Sequence, residues 1–196
     1  GENHGTVEQV TVTGDVTGDE DVGALVGVNG SSGVVRSCTN RASVTGNTNS
    51  GGIAGRNEGM IQSCTNLGEV NTGGNDAATN SGGIAGRNTG TVADCTNHAA
   101  VGYAHTGYNT GGIAGIQNGA LLRCFNDGEI LGRKDVGGIV GQFEPYVTLT
   151  YGEDPMERLD GALASLSTLM TQLSGQIHSS AGDAVDDISA IHGSLS

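Results

Sequence analysis

Cys38, Cys64, Cys95 and Cys124 are the four cysteines of the 196-residue chain, spaced 26, 31 and 29 residues apart. Thiols offer three chemistries: disulfide bonding, metal ligation, and burial as small apolar groups. Zinc needs ligands that converge on a point, usually from closely spaced cysteine pairs, and four cysteines strung out at these intervals do not supply them. Glu69 and Glu129 are the carboxylates to weigh as a glycosidase pair. The stretch "GGIAGRNEGMIQSCTN" (51–66) invites a phosphate-cradling reading, but no Gly-Lys-Ser/Thr follows it and no long helix begins there. The run "GDVTGDEDVG" holds Asp15, Asp19, Glu20 and Asp21 without the spaced acidic loop of a calcium site, so it reads as a solvated turn. No metal and no cofactor are expected.

All these residues sit inside a repeat. Taking the first glycine of each "GGIAG"-like marker gives Gly23, Gly51, Gly82, Gly111 and Gly137, with spacings of 28, 31, 29 and 26. Once the insertions are removed, every unit is 26 residues long. The fixed positions form columns: Leu25, Ile53, Ile84, Ile113, Ile139; then Val35, Ile61, Val92, Leu121; then the cysteines; then Val44, Val70, Val101, Ile130. Gly5, Val7, Val10 and Val16 begin a partial copy, with Val10 in the cysteine column.

Each unit offers a few inward side chains on three short β segments, too few to enclose a core alone. Neighbouring units must therefore stack and share one. The expected fold is mainly β: a β-solenoid of stacked coils of 26 to 31 residues over 1–150 with a C-terminal cap, followed by an α-helical segment over 151–196. About five coils at a spacing of ~4.8 Å make a rod near 24 Å long. Glycines at the corners are expected to supply φ > 0 bends and to let backbones approach closely. Asn40, Asn66, Asn97 and Asn126, each two residues after its cysteine, are expected to form a ladder of side-chain amides.

The pattern "GG-I-x-G-x-N-x-G-x-I-x-x-C-x-N-x-G-x-V" resembles the GLUG-motif repeats over roughly residues 5 to 143. Ala42 and Ala99 depart from it where Gly68 and Gly128 follow it. The resemblance implies an exported or surface protein of bacteria, often large, in which such repeats accompany adhesin-like regions and some immunoglobulin A peptidases. It implies no chemistry for the repeat itself. A zinc protease needs His-Glu-x-x-His, and none of His4, His98, His105, His178 and His192 belongs to one.

The columns then decide between the chemistries. Val10 fills the cysteine slot, which favours a buried thiol ladder over bridged pairs such as Cys38 with Cys64. Glu69 and Glu129 share an offset two coils apart, about 10 Å, near the upper end for an inverting pair. Ala100 holds that offset on the coil between them, and a solvated strand face is the better reading.

The variable edge carries the candidate site. The longest connections, "NTGGNDAATNS" (71–81) and "GYAHTGYNT" (102–110), leave consecutive coils and should bulge side by side. Tyr103, His105 and Tyr108 on the second are the candidate ligand-binding residues, because exposed aromatic faces suit sugar or protein contact. No catalytic residue is expected.

After residue 143 the repeat stops, and Pro145 with Phe143, Tyr146 and Tyr151 is expected to close the open end of the stack. Asp154, Pro155 and Glu157 read as a helix start. Leu159, Leu163, Leu166, Met170, Leu173 and Ile177 then alternate by four and three, and the stripe resumes at Ala181, Ala184, Ile188, Ile191 and Leu195. Such a stripe needs a partner, which self-association through 154–196 in a parallel oligomer, a hairpin breaking near Gly182 or docking against the solenoid would each supply, and its run to the last residue reads as a chain cut from something longer.

A net charge of −13 argues against nucleic acid or anionic membrane partners, and no apolar run approaches the roughly 20 residues of a membrane span. The chain is expected to be a non-catalytic extracellular or cell-surface segment, a spacer or an adhesive surface for a host protein or glycan. The alternatives are a polysaccharide-acting enzyme or a carbohydrate-binding module using the solenoid face.

Overall fold

The computed structural model describes residues 1–144 and 161–177. The chain divides into two units, Gly1–Tyr146 and Val147–Ser196. The expected cap residues Pro145, Tyr146 and Tyr151, the helix start at Asp154, and the stripe beyond Ile177 lie outside the described residues.

The first unit is a parallel β-solenoid of about five turns. One coil runs through Thr48–Gly51, Ala54–Asn57, Met60–Gln62 and Thr65–Asn66, and Val70 then bridges to Val44 and Val101. The two-residue strand Thr65–Asn66 divides the coil more finely than the apolar columns do, because its inward residue is an amide. Every ladder is parallel and in register: Ile61 pairs with Val35 and Val92, Asn66 with Asn40 and Asn97, and Gly51 with Gly23 and Gly82. The 26-residue unit therefore survives its insertions, which loop out between the ladders without shifting register.

Stacking fills two apolar files. Ile53, Ile84 and Ile113 with Val35, Ile61 and Val92 and the cysteines form one, and Val22, Val44, Val70 and Val101 form the other. The side chains of Ile53, Ile61, Ile84 and Ile113 are fully buried, each worth about 1.5–3 kcal/mol of transfer free energy. At the last described coil, Ile139 of the same column is 41% exposed, because a coil buries its residues only where another lies on it.

The glycines act differently from the expectation. The marker glycines lack the positive φ of a left-handed corner; among the described glycines only Gly14, Gly74, Gly102 and Gly107 have one. The corners are carried by other residues. Gln9, Ser37, Ser63, Asp94 and Arg123, each just before the cysteine slot, have φ of 51 to 56°, and Asp21, Asn49, Asn80, Asn109 and Asp135 have φ of 49 to 59°. What the marker glycines supply is close approach. A Cβ on Gly55 would fall on the Asp21 backbone, and one on Gly83 would collide with the Gly112 carbonyl oxygen and the Asn97 amide. At the Ala42 and Ala99 corners the departure is accommodated by alternation: Ala42, Gly68, Ala99 and Gly128 follow one another up the stack. A Cβ on Gly68 would strike the Ala42 carbonyl oxygen, as one on Gly128 would strike that of Ala99.

The second unit contains one described helix, 161–177. Leu163, Leu166, Met170, Leu173 and Ile177 are 54 to 65% exposed along it. Among the described residues, no helix is long and apolar enough to cross a membrane.

Candidate functional site

The expected amide ladder is present. Asn40 donates to Asn66 Oδ1 (2.8 Å), Asn66 to Asn97 (2.7 Å) and Asn97 to Asn126 (2.7 Å), and each also donates to the carbonyl two residues on. Two further ladders accompany it. Asn3, Asn29, Asn57, Asn88 and Gln117 form one, linked at 2.7 to 2.9 Å, and Asn109, Asn80, Asn49 and Asp21 form another. These amides are spent on structure.

The four cysteines are free thiols arranged in a file. Their sulfurs are more than filler. Cys38 Sγ accepts the Val10 N–H at 3.5 Å, and Cys95 Sγ accepts the Cys64 N–H at 3.4 Å. Each sulfur also lies 3.1 to 3.5 Å from the carbonyl oxygen two residues before it, as an S–H donor would. The left-handed residue before the slot turns that backbone N–H out of the regular ladder, and a sulfur of the next coil takes it up. Burial pushes the Cys38 and Cys124 thiols up from the ordinary thiol range. Hydrogen bonding with Cys64, and then burial, keep Cys95 protonated.

The carboxylates at the shared offset are not brought together. Val70, Val101 and Ile130 bridge in turn, which puts Ala100 between Glu69 and Glu129, and Glu69 accepts a hydrogen bond from the Thr72 hydroxyl (2.7 Å). In the acidic run, Asp19 accepts from Asn47, and Asp21 accepts from Asn49 and pairs with Arg56 at 3.3 Å. Among the described residues, no group of three or more His, Cys, Asp or Glu is placed to hold a metal ion.

The two long connections do lie side by side. The Tyr108 N–H donates to the Ala78 carbonyl (3.0 Å), joining the end of the second loop to the first. The Tyr103 ring lies over Gly74, where an added Cβ would be 3.4 Å from Cδ1. Each loop is also fixed at its base. Asn71 takes the Gly46 N–H on Oδ1 and donates to Ser81 Oγ, both at 2.8 Å, and Asn75 donates to Asn47 at 2.7 Å. Gly102, His105 and Gly107 adopt positive φ, which folds the second loop back on itself.

One residue that the sequence pattern did not single out holds the edge together. Arg133, from the next coil, donates through Nε to the His105 carbonyl (3.0 Å) and through Nη2 to Asp76 (3.1 Å). Its guanidinium also lies 5.8 Å from the Tyr108 ring centroid and 3.4 Å from the Tyr108 hydroxyl. The hydroxyl contact, then the Asp76 carboxylate, hold Arg133 above its ordinary range. The available signal was stacking arithmetic: Arg133 N–H bonds the Gly107 carbonyl, so Arg133 lies one coil above the loop. His105 contributes its backbone carbonyl to this arrangement, whereas Tyr103 (49% exposed) and Tyr108 (37% exposed) present ring surface to solvent.

The edge can offer aromatic faces, a hydroxyl and an imidazole to a ligand, on loops held by charge-assisted hydrogen bonds. No protein-family model, no curated protein and no solved structure matches this chain.

Proposed function

We propose that this chain is a non-catalytic, extracellular segment of a larger bacterial surface or secreted protein of the GLUG-repeat kind, binding a host protein or glycan through the edge formed by 71–81 and 102–110. The observation that carries the reading is the fixing of both loops by Arg133 while Tyr103 and Tyr108 stay exposed. Tying down two insertions lowers the ordering cost of binding, and exposed tyrosines on a rigid support are effective contact residues. The stacked coils below act as a spacer, their buried amides engaged in ladders that run along the axis.

The experiment is a glycan and host-protein array probed with wild type, Tyr103→Ala and Tyr108→Ala. Wild type should bind a defined subset of spots and each variant should lose it. Unchanged binding by both variants would move the ligand away from this edge. Activity on polysaccharides that disappears in Glu69→Gln or Glu129→Gln would instead make the solenoid face an enzyme.

A further inference from the structure

Arg56 and Arg87 hold matching positions on neighbouring coils, so their backbones are one coil spacing, about 4.8 Å, apart. Arg56 is neutralised twice: its Nε lies 3.3 Å from Asp21 Oδ2 and its Nη1 is 2.7 Å from Glu58 Oε1. One coil on, the same register offers Arg87 no carboxylate. Thr48 and Ser50 pair with Glu20 and Val22, so Asn49 stands where Asp21 stood. Thr89 stands where Glu58 stood, since the Thr89 N–H bonds the Asn57 carbonyl as the Glu58 N–H bonds that of Asn29.

The neutral replacements are already engaged. Asn49 donates to Asp21 (2.8 Å) and accepts from Asn80 (2.7 Å), and Thr89 Oγ1 donates to the Asn57 carbonyl (3.2 Å). Among the described residues, no carboxylate oxygen lies within 4 Å of Arg87, although the chain carries a net charge of −13. Arg87 is half-buried in a cleft of about 470 Å³ that it lines with Glu20, Asp21, Asn49, Arg56, Glu58 and Thr89. A guanidinium partly withdrawn from water, whose neighbouring carboxylates Asp21 and Glu58 are engaged by Arg56, gains a direct charge-assisted pair when a carboxylate binds it.

The lining indicates the class of that carboxylate. Every residue of the cleft is polar or charged, with no apolar pocket to anchor a peptide side chain. Acceptors at Glu20 and Glu58 suit ligand hydroxyls, while Arg87 suits a single carboxylate among them. We propose that this cleft binds a uronic acid residue of an acidic oligosaccharide, its carboxylate on the Arg87 guanidinium. Tyr103 and Tyr108 take no part, so this site stands or falls separately from the loop edge.

The test is an NMR titration of the full chain with trigalacturonate, maltotriose and hexaglutamate, following the Asn49 side-chain amide and the Arg87 Nε–H. Trigalacturonate should give saturable shifts at both groups, with maltotriose and hexaglutamate giving none. Arg87→Gln, which puts at this position the residue that Gln142 supplies two coils on, should weaken binding about tenfold or more while leaving the remaining spectrum in place. Tyr103→Ala should titrate as wild type. The proposal is overturned by absent shifts, by equal shifts with maltotriose or hexaglutamate, by binding that survives Arg87→Gln, or by binding lost in Tyr103→Ala.

Discussion

Asn66 donates its side-chain amide to Oδ1 of Asn97 at 2.7 Å across 31 residues of sequence, and neither side chain is accessible to water. Asn66 also accepts the amide of Asn40 on Oδ1 and takes the Gly68 N–H there. Its donors and acceptor are thus used within the protein, which makes its burial affordable.

Asn66→Ala should therefore cost about 2–4 kcal/mol, because the Asn40 donor and the Gly68 N–H each lose a partner with no water to replace it. Asn126→Ala, at the half-buried end of the same ladder, should cost about 1 kcal/mol. Chemical denaturation of the two variants measures the difference; equal midpoints would show that the ladder contributes little to stability.

The columns that announced this ladder were legible because stacking repeats a side-chain requirement at a fixed offset. Legibility failed where only the backbone repeats. Ser37, Ser63, Asp94 and Arg123 share one left-handed conformation across three side-chain types, so their column is invisible as text, and the abundance of glycine points to the wrong corner residues. Arg133 escaped notice for another reason: its partner Asp76 is 57 residues away, and the insertion that carries Asp76 belongs to no column. The tyrosines are legible as aromatics on an insertion, while the residue that fixes their loops is legible only through its offset from the next marker glycine, Gly137.

Glycine substitutions separate close approach from chain flexibility. Gly83→Ala places a Cβ against the Gly112 carbonyl oxygen and should destabilise by about 3 kcal/mol or more. Gly138 occupies the same column on the last described coil and has nothing within 4 Å of the added atom, so Gly138→Ala should lie within about 1 kcal/mol of wild type. Thermal melts of both variants provide the comparison.

Cys95→Ala removes the acceptor of the Cys64 N–H and should cost about 1–3 kcal/mol. In native buffer an aromatic disulfide reagent should label half-buried Cys124 ahead of the other three. The thiols also give the solenoid an alkaline limit. Burial makes Cys38 and Cys124 hold their protons more tightly folded than unfolded, whereas the hydrogen bond shared by Cys64 and Cys95 shifts those two in opposite directions, so it is the Cys38 and Cys124 contribution that is complete below the ordinary thiol range. It declines as rising pH ionises the unfolded chain first. Denaturation midpoints should fall above that range, and Cys38→Val with Cys124→Val should lessen the effect.

Arg133→Met should free the loop edge without unfolding the coils, since the guanidinium contacts only the His105 carbonyl, Asp76 and the side chain of Tyr108 at the start of its strand. Hydrogen exchange should quicken at 103–107 and 74–77, while the amides of Ile84 and Ile113, bonded into fully stacked coils, keep their protection. Uniform exchange across both sets would mean that the edge and the stack open together.

The helix at 161–177 carries a stripe of exposed apolar side chains. Leu163, Leu166, Met170, Leu173 and Ile177 recur at intervals of three and four with more than half of each exposed. The backbone gains little from propensity with Gly161 and Gly175 in it. An isolated helix with these glycines is marginal, and burying the stripe against a second copy would supply what propensity does not. Sedimentation velocity should show a concentration-dependent oligomer for the full chain and a monomer once 153–196 are removed. Leu166→Glu with Leu173→Glu should reproduce the truncation by putting like charges along the stripe. An oligomer that persists through both changes would locate self-association on the solenoid, whose last described coil leaves Ile139 and Val136 partly uncovered.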